Sequence, residues 1–332
     1  MLYITTRNKT DSVTARRTLV DERAFDGGLY IPLKLPHFSD EQLENLCTRP
    51  VSEIIAHTVN LFFDTKLSSW DVECTIGKVP YVVAEHSQKI LFVQLWNNSN
   101  GSFDRICECI ADLICDEKSA PTNWMKIVMR IALLFAIYST IHTGGTKRFD
   151  VSVEVGDFSA PIAVWYAKQM GLPVRRIICA ELERSVAWDL FYHGQMSISS
   201  SQTDGAIPEA ERLIYSLLGI ENAKLFANSI QGQGVFRVAA TSLEDLSKGF
   251  FVSVVGNERI DFIIGNVYTA SAYILDPVTA LCYAGVQDYR TKSGEIFPTI
   301  ILSAESPLKY TKNIMQAASV HQTDILKFTK KQ

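Results

Sequence analysis

The central segment of this 332-residue chain reads Leu95-Trp96-Asn97-Asn98-Ser99-Asn100-Gly101-Ser102-Phe103-Asp104-Arg105. The apolar run from Lys89 to Trp96, which leads into it, predicts a buried strand. The polar residues from Asn97 to Ser102 predict a loop, and the pattern from Phe103 to Cys115 predicts a helix. A buried strand, a polar loop and a helix in this order are typical of α/β proteins.

The same alternation of short strand patterns and longer helical patterns continues along the chain. Strands are predicted at 2–6, 151–155, 174–180 and 299–303. Helices are predicted at 54–63, 124–141, 160–170, 209–218, 223–230, 260–271 and 277–287, and a loop at Gly232-Gln233-Gly234. The fold class predicted from these patterns is therefore α/β.

Composition excludes several classes of protein. The chain is 47% hydrophobic and 20% charged, with a formal net charge of −4, so it carries no basic surface for nucleic acid. Its first residues, Met1 to Arg7, lack the pattern of a signal peptide, and no apolar run predicts a membrane span. We therefore expect a cytoplasmic protein with neither a nucleic-acid nor a membrane partner.

Cysteine usage supports a reducing compartment. Seven cysteines at irregular spacing do not predict a disulfide framework. Cys107 and Cys109 would lie on different faces of the predicted helix, so a metal site shared with Cys115 would need other ligands. We therefore interpret the cysteines as buried or incidental thiols and predict no metal site.

Seven further motifs carry a resemblance to a known family. They are Tyr3 to Arg7, Asp26 to Pro32, Asn123-Trp124, Gly156 to Ser159 followed by Ala167 to Val174, Glu211 to Leu213, Asp276 to Ala280, and Ser303 to Tyr310. Together with Leu95 to Arg105 they resemble the threonine synthases, in which the central segment reads Leu-(Phe/Trp)-His-Gly-Pro-Thr-Leu-Ala-Phe-Lys-Asp. The resemblance implies the α/β architecture of fold-type II pyridoxal phosphate (PLP) enzymes, which is similar to the tryptophan synthase β subunit.

The resemblance also identifies a loss. In those enzymes the lysine of the central segment holds PLP as a Schiff base, and Asp104 stands at that position here. A carboxylate forms no imine, so covalent PLP is excluded if the resemblance holds. The chain then resembles a degenerate member of the family that has lost PLP catalysis.

Other departures from the family point the same way. Only 17 residues separate Arg105 from Asn123, where the resemblance implies most of a small subdomain and its substrate loop. We therefore expect this subdomain to be largely deleted, leaving an N-terminal region at 1–118 and a larger α/β domain at 119–332. The phosphate-binding turn Gly-Asn-Phe-Gly is matched by Gly156-Asp157-Phe158-Ser159, which adds a carboxylate. Ala304 and Ser306 stand where the family has the threonine that partners the pyridine nitrogen and a histidine, so non-covalent PLP is not expected either.

Two functions follow from these departures. In the first, the protein is a non-catalytic relative that binds a small amino-acid-like ligand, a protein partner or a second copy of itself. Its candidate ligand-binding residues are Asn97, Asn98, Ser99, Arg105, Gly156, Phe158, Ser303 and Lys309. In the second, the remodelled cleft runs cofactor-independent chemistry on an amine or amino-acid-like substrate, with Asp104, Asp157 and Glu305 as catalytic carboxylates.

Each carboxylate also has a purely structural interpretation. Aspartate is favoured near helix N-termini, which accounts for Asp104 without any ligand. Asp157 lies in a predicted turn, where aspartate commonly bonds the local backbone. Both interpretations stay open at the level of sequence.

Overall fold

The computed structural model describes residues 1–98, 100, 102–115, 121–142, 145, 147–183, 186–198, 208–319 and 321–330. Its strands are β1 (Leu2–Thr5), β2 (Val13–Thr14), β3 (Tyr30–Pro32), β4 (Val82–His86), β5 (Ile90–Gln94), β6 (Phe149–Glu154), β7 (Val174–Leu182), β8 (Gln195–Ser197), β9 (Val235–Arg237), β10 (Phe250–Val255) and β11 (Thr299–Ser303).

Its helices are α1 (Ala15–Val20), α2 (Asp40–Cys47), α3 (Val51–Phe63), α4 (Ser69–Ile76), α5 (Phe103–Ile114), α6 (Asn123–His142), α7 (Ser159–Gln169), α8 (Val186–Trp188), α9 (Pro208–Leu218), α10 (Ile220–Gln233), α11 (Leu243–Ser247), α12 (Asn257–Ser271), α13 (Pro277–Ser293), α14 (Thr311–Ala318) and α15 (Gln322–Lys330).

One six-stranded sheet organises the molecule, in the order β10-β7-β6-β11-β5-β4. All neighbouring pairs are parallel except β4 with β5, which is an antiparallel pair at one edge. The last strand in sequence, β11, lies in the interior between β6 and β5. The carboxyl ends of five parallel strands therefore meet at one edge of the sheet, where ligands bind in open α/β folds.

Hydrophobic cores cover both faces of this sheet, as a mainly parallel sheet requires. One core contains α3, α6 and α7 and is centred on Trp124, Phe135 and Phe149. The other contains α12 and α13, with Ile264 and Leu281 fully buried. Helix α6 is long and apolar enough to cross a membrane, but 83% of its apolar window is buried inside the protein, so it is a core helix.

Local sequence signals explain where several helices begin. Ser39 caps α2 through a capping box with Gln42, and Ser102 accepts the backbone N–H of Arg105 at the start of α5. At the start of α13, Asp276 accepts the N–H groups of Val278 and Thr279, with Pro277 in the first turn. The caps at Ser102 and Asp276 fix the starts of α5 and α13, which flank the carboxyl edge of the sheet.

The α/β prediction is confirmed. The strand predicted at 299–303 matches β11, and the helices predicted at 103–115 and 124–141 match α5 and α6 within one or two residues. Strands β4 and β10 were not predicted, and the loop predicted at Gly232-Gln233-Gly234 is wrong, because the first two residues end α10. Glycine at 232 gave a turn signal, yet the helix continues to a left-handed cap at Gly234.

The short connection between Arg105 and Asn123 adds no strand to the sheet within the residues described. After β5 the chain forms α5 and α6 and then enters β6. The division into 1–118 and 119–332 stays a prediction, and residues from both sides share one core, since Tyr3 and Phe62 pack against Trp124.

Candidate functional site

The carboxyl ends of β5, β11 and β6 bring three polar residues to one level. Ser303 is the register partner of Gln94, and the pairing of Ile301 with Ser152 places Ser303 level with Glu154. The loops that follow these strands carry the residues singled out in the sequence. Asn97 and Asn98 follow β5, Gly156 to Phe158 follow β6, and Glu305 follows β11.

A buried hydrogen-bond network lies behind this edge. Ser303 Oγ donates to Asp276 Oδ2 (3.1 Å), and it also contacts Trp96 Nε1 (3.2 Å) and Thr279 Oγ1 (2.7 Å). Asp276 is 1% exposed, and burial raises its pKa against the opposing effect of hydrogen bonds from Thr279 and Ser303. Ser303 is therefore a buried structural group that ties β11 to the start of α13.

A second network anchors the loop after β5. Gln94 is fully buried, donates to the hydroxyl of Tyr273 (2.6 Å) and accepts a hydrogen bond from Asn97 (2.8 Å). The side chain of Asn98 donates to the carbonyl of Leu95, and its oxygen accepts the N–H of Asn100 (2.7 Å). Ser99 lies outside the described residues. Asn97 and Asn98 thus hold the loop in place at the mouth of the site.

At the start of α5, Asp104 is exposed and pairs with a lysine. Its Oδ1 lies 3.3 Å from Nζ of Lys126, and 65% of its side chain is exposed. The next residue, Arg105, pairs with Glu108 on the same helix (2.8 Å) and is also largely exposed. The Arg105 side chain therefore lies along the surface of α5.

In the turn before α7, the side chain of Asp157 forms a hydrogen bond with the backbone at the start of the helix. Asp157 Oδ1 accepts the backbone N–H of Ser159 (2.9 Å), and Pro161, in the same first turn, has no N–H to offer. Gly156 and the buried Phe158 both adopt left-handed conformations, with φ of 49° and 68°. The helix start that would bind a phosphate thus has one amide already bonded to a carboxylate.

Four carboxylates surround the end of β6. Burial, and to a smaller extent the charges of Asp276, Asp157 and Glu305, raise the pKa of Glu154. The Glu154 side chain is exposed to solvent on one side. Protein atoms crowd its other side and displace part of its hydration. Lys309 pairs with Glu305 (2.7 Å), which together with the nearby charge of Asp104 raises the lysine pKa.

One cation from α6 reaches the same place. The guanidinium of Arg130 lies 4.5 Å from the ring centroid of Phe103, and its charge lowers the pKa of Glu154 against the prevailing shift. Its Nη1 atom is buried and has no hydrogen-bond partner among the described residues. Arg130 therefore adds a positive charge beside the start of α5, and this charge acts on Glu154.

Among the residues predicted from the sequence, the charges of Asp157 and Glu305 act on Glu154, and the charge of Asp104 acts on Lys309. Ser303 is instead buried behind the edge, and Arg105 pairs with Glu108 on its own helix. Sequence reasoning missed Glu154 and Arg130. Their signals were a single charged residue at the end of a predicted strand and a cation inside an apolar helix.

No group of three or more histidine, cysteine, aspartate or glutamate side chains within the described ranges is arranged to hold a metal ion. The carboxylates at the carboxyl edge therefore do not form a cation cage there.

Glu154→Gln is expected to raise the free energy of unfolding at neutral pH. The pKa of Glu154 is raised in the folded protein. The free energy of unfolding therefore falls as the pH rises from the pKa of an unfolded glutamate, about 4.3, through the higher pKa of the folded state. Glutamine is neutral at every pH, and Glu154 is protonated in acid. The difference in free energy of unfolding between the two proteins should therefore vanish in acid. Urea unfolding of both proteins between pH 3 and pH 8 measures this, and parallel profiles would contradict it.

Comparison with known proteins confirms the resemblance to threonine synthases. Residues 2–79 match the family model of the threonine synthase N terminus. Threonine synthase-like 1 of Pongo abelii is 25% identical over 215 residues, which cover 60% of this chain and 28% of that protein. Threonine synthase of Corynebacterium glutamicum is 25% identical over 211 residues, covering 59% and 43%. The matches thus span less than half of the length of these relatives.

Solved structures confirm the fold. The PLP-bound threonine synthase of Brucella melitensis superposes with a TM-score of 0.82 at 15% identity, covering 99% of this chain and 94% of that one. Yeast threonine synthase gives a TM-score of 0.80 at 17% identity, covering 97% and 90%. The chain therefore has the fold-type II architecture predicted from its motifs.

The residues at the carboxyl edge do not fit the cofactor that this fold implies. Asp104 stands at the start of α5, where the resemblance calls for the Schiff-base lysine. The nearby amines of Lys126 and Lys309 are both ion-paired. The first amide of α7 is bonded to Asp157, which would repel a phosphate dianion.

Proposed function

We propose that this relative of the threonine synthases has lost PLP-dependent catalysis and acts as a non-catalytic binding protein. Its binding site is the carboxyl edge of the sheet, between the loop after β5, the turn before α7 and the segment after β11. The occupant is a small amino-acid-like ligand, with a protein partner or a second copy as the alternative occupant. The free cysteines fit a reducing cytoplasm.

The observation that carries this proposal is the ion pair of Asp104 with Lys126 at the start of α5. Schiff-base chemistry needs an amine that can deprotonate and attack an aldehyde, and a carboxylate at this position supplies neither property. The neighbouring amine of Lys126 is ion-paired with that carboxylate, at 3.3 Å.

The turn before α7 supports the same conclusion. A phosphate bound at a helix start needs free backbone N–H groups and a favourable field. Asp157 uses the N–H of Ser159, and Pro161 removes another donor. The carboxylate takes the place that a phosphate oxygen would occupy.

A thermal-unfolding titration with PLP tests the proposal. A ligand that binds only the folded state raises the unfolding midpoint with concentration. We expect no rise for this protein and a clear rise for the Brucella melitensis threonine synthase as a control. A concentration-dependent rise, or a lysine modified after borohydride reduction and mass spectrometry, would overturn the loss of the cofactor.

Asp104→Lys is expected not to restore cofactor binding or the conversion of phosphohomoserine. The added amine leaves Asp157 on the N–H of Ser159, and the short connection before Asn123 still lacks the substrate loop implied by the resemblance. Asp104→Asn serves as the control for loss of charge. Detectable turnover by the lysine variant would show that position 104 alone separates this chain from an active enzyme.

A second candidate function is supported by the raised pKa of Glu154 beside Asp157 and Glu305. Carboxyl groups whose pKa values are moved toward neutrality are suited to general acid–base catalysis. Under this alternative, Asp104, Asp157 and Glu305 act on an amine-bearing substrate without a cofactor. Turnover of amino acids or amines followed by NMR, lost in Asp157→Asn, would favour this function over a binding protein.

A further inference from the structure

A cavity of about 690 Å³, the α12 cleft, opens to solvent between β4, α12 and α13. On β4 it is lined by Glu85 and His86, and His86 pairs with Ile90, the first residue of β5. The carboxyl end of β5, at Gln94, lies at the opposite end of the same strand. The α12 cleft is therefore beside the amino end of the sheet, and none of its lining residues belongs to the candidate site described above.

One face of α12 forms the long wall of this cleft. The lining residues of α12 extend from Arg259 to Ser271 and recur every three or four residues, as residues on one side of a helix do. Ile263 and Val267 are buried on this side, whereas the ring of Phe262 is 66% exposed. An apolar ligand in the cleft would remove the Phe262 ring from water, which is favourable.

Aromatic rings also line the other two sides of the cleft. His86 of β4 and Tyr283 of α13 are in contact, with ring centroids 5.7 Å apart, and the buried ring of Phe92 lies 5.4 Å from His86. Burial lowers the pKa of His86, so its ring is neutral at pH 7. Phe262 on one wall and the Tyr283–His86 pair on the others are surfaces on which a flat aromatic ring packs well.

The charges of the cleft limit what can be attached to such a ring. Arg259 pairs with Asp288 (2.8 Å) and donates to Gln287 (3.4 Å), so its charge is already matched within the protein. Glu85 is exposed and forms no ion pair within the part of the chain that the structure describes. The charge left without a partner in the cleft is therefore negative, which favours a cation over a carboxylate or a phosphate.

We infer that the α12 cleft binds a small molecule in which an aromatic ring is joined to an ammonium group. The ring lies between Phe262 and the Tyr283–His86 pair, and the ammonium group lies beside Glu85. The volume of about 690 Å³ is within the range of small-molecule sites, about 300–1,000 Å³. This second site is independent of the proposed function, because it lies at the other end of the sheet.

The test measures binding of tryptamine by calorimetry, with two comparison probes. Indole-3-propionate carries the same ring with the opposite charge, and butylamine carries the ammonium group without a ring. Phe262→Ala removes the exposed wall of the cleft, and Glu85→Gln removes its unpaired charge. The matched controls are Phe25→Ala, at a fully exposed phenylalanine elsewhere, and Glu258→Gln, at an exposed glutamate on α12 outside the cleft.

We expect the wild-type protein to bind tryptamine at least about tenfold more tightly than butylamine, because burial of the ring supplies most of the affinity. Phe262→Ala should weaken binding of tryptamine by about fivefold, the scale of one aromatic contact. Glu85→Gln should weaken it by about threefold, the scale of an exposed ion pair, and should abolish the preference for tryptamine over indole-3-propionate. Both control variants should bind tryptamine as the wild type does.

Several results would overturn the inference. Undiminished binding of tryptamine by Phe262→Ala would place the ligand elsewhere on the protein. Tighter binding of indole-3-propionate than of tryptamine would reject the cation, and equal binding of butylamine would reject the ring. Absence of tryptamine binding at millimolar concentration would reject the ligand class. Phe262 and Glu85 are exposed, so both variants should keep the circular dichroism spectrum of the wild type, and a weaker affinity then reports on the cleft itself.

Discussion

Arg212→Met is expected to lower the free energy of unfolding by about 3–5 kcal/mol, since removing one partner strands a buried charge. Arg212 and Glu209 form an ion pair with exposures of 1% and 0%. Arg212 also donates to the carbonyl of Tyr30 (3.0 Å) and lies 5.1 Å from the Trp124 ring. The substitution therefore leaves a carboxylate and a carbonyl without their donor.

Urea unfolding at neutral pH measures this loss. The matched control is the double variant Glu209→Gln with Arg212→Met, which removes both charges and should recover much of the stability. A loss below about 1 kcal/mol in the single variant would mean that Glu209 is already protonated in the folded protein.

Trp124→Ala is expected to cost about 3–5 kcal/mol, the range for deleting a large buried aromatic side chain. Trp124 packs edge-to-face on Tyr3, Phe62 and Tyr166, at centroid distances of 5.7, 5.8 and 5.9 Å. Tyr3 and Phe62 lie in the predicted N-terminal region (1–118), and Tyr166 lies in the predicted larger domain (119–332). The cavity would therefore weaken both parts at once.

The control for this prediction is Trp70→Ala, because Trp70 is 71% exposed and its loss should change stability by no more than about 0.5 kcal/mol. Both variants are compared by urea unfolding with tryptophan fluorescence and circular dichroism. A Trp124→Ala protein that unfolds in two separate steps would show that the two regions are independent folding units.

Much of the fold could be predicted from local signals. Apolar periodicity located α5, α6 and β11, whose bounds the structure confirms within one or two residues. Strand β10 (Phe250–Val255) was not predicted. The elements that precede it, such as the five-residue helix α11, are short and give no periodic pattern that would mark where the strand begins. The edge strand β4 is half-exposed on most positions, so it gave no alternation of buried and exposed residues.

The candidate site was less predictable, because it depends on contacts between distant segments. The bond from Asp157 to Ser159 is local and agrees with the turn interpretation made from the sequence. The neighbourhood of Glu154, Asp276 and Glu305 depends on β11 lying beside β6, which one sequence does not reveal. For the same reason the unpaired Nη1 of Arg130 had no signal beyond a cation in an apolar helix.

The interior position of β11 affects how the protein is made. Translation delivers β5 and β6 long before Thr299–Ser303, the strand that fills the gap between them. Until that strand leaves the ribosome, the nascent chain presents two unpaired, largely apolar strand edges, which favour association with other chains. Production of this protein should therefore depend on chaperone capacity, and chains that end before residue 299 should accumulate as aggregates.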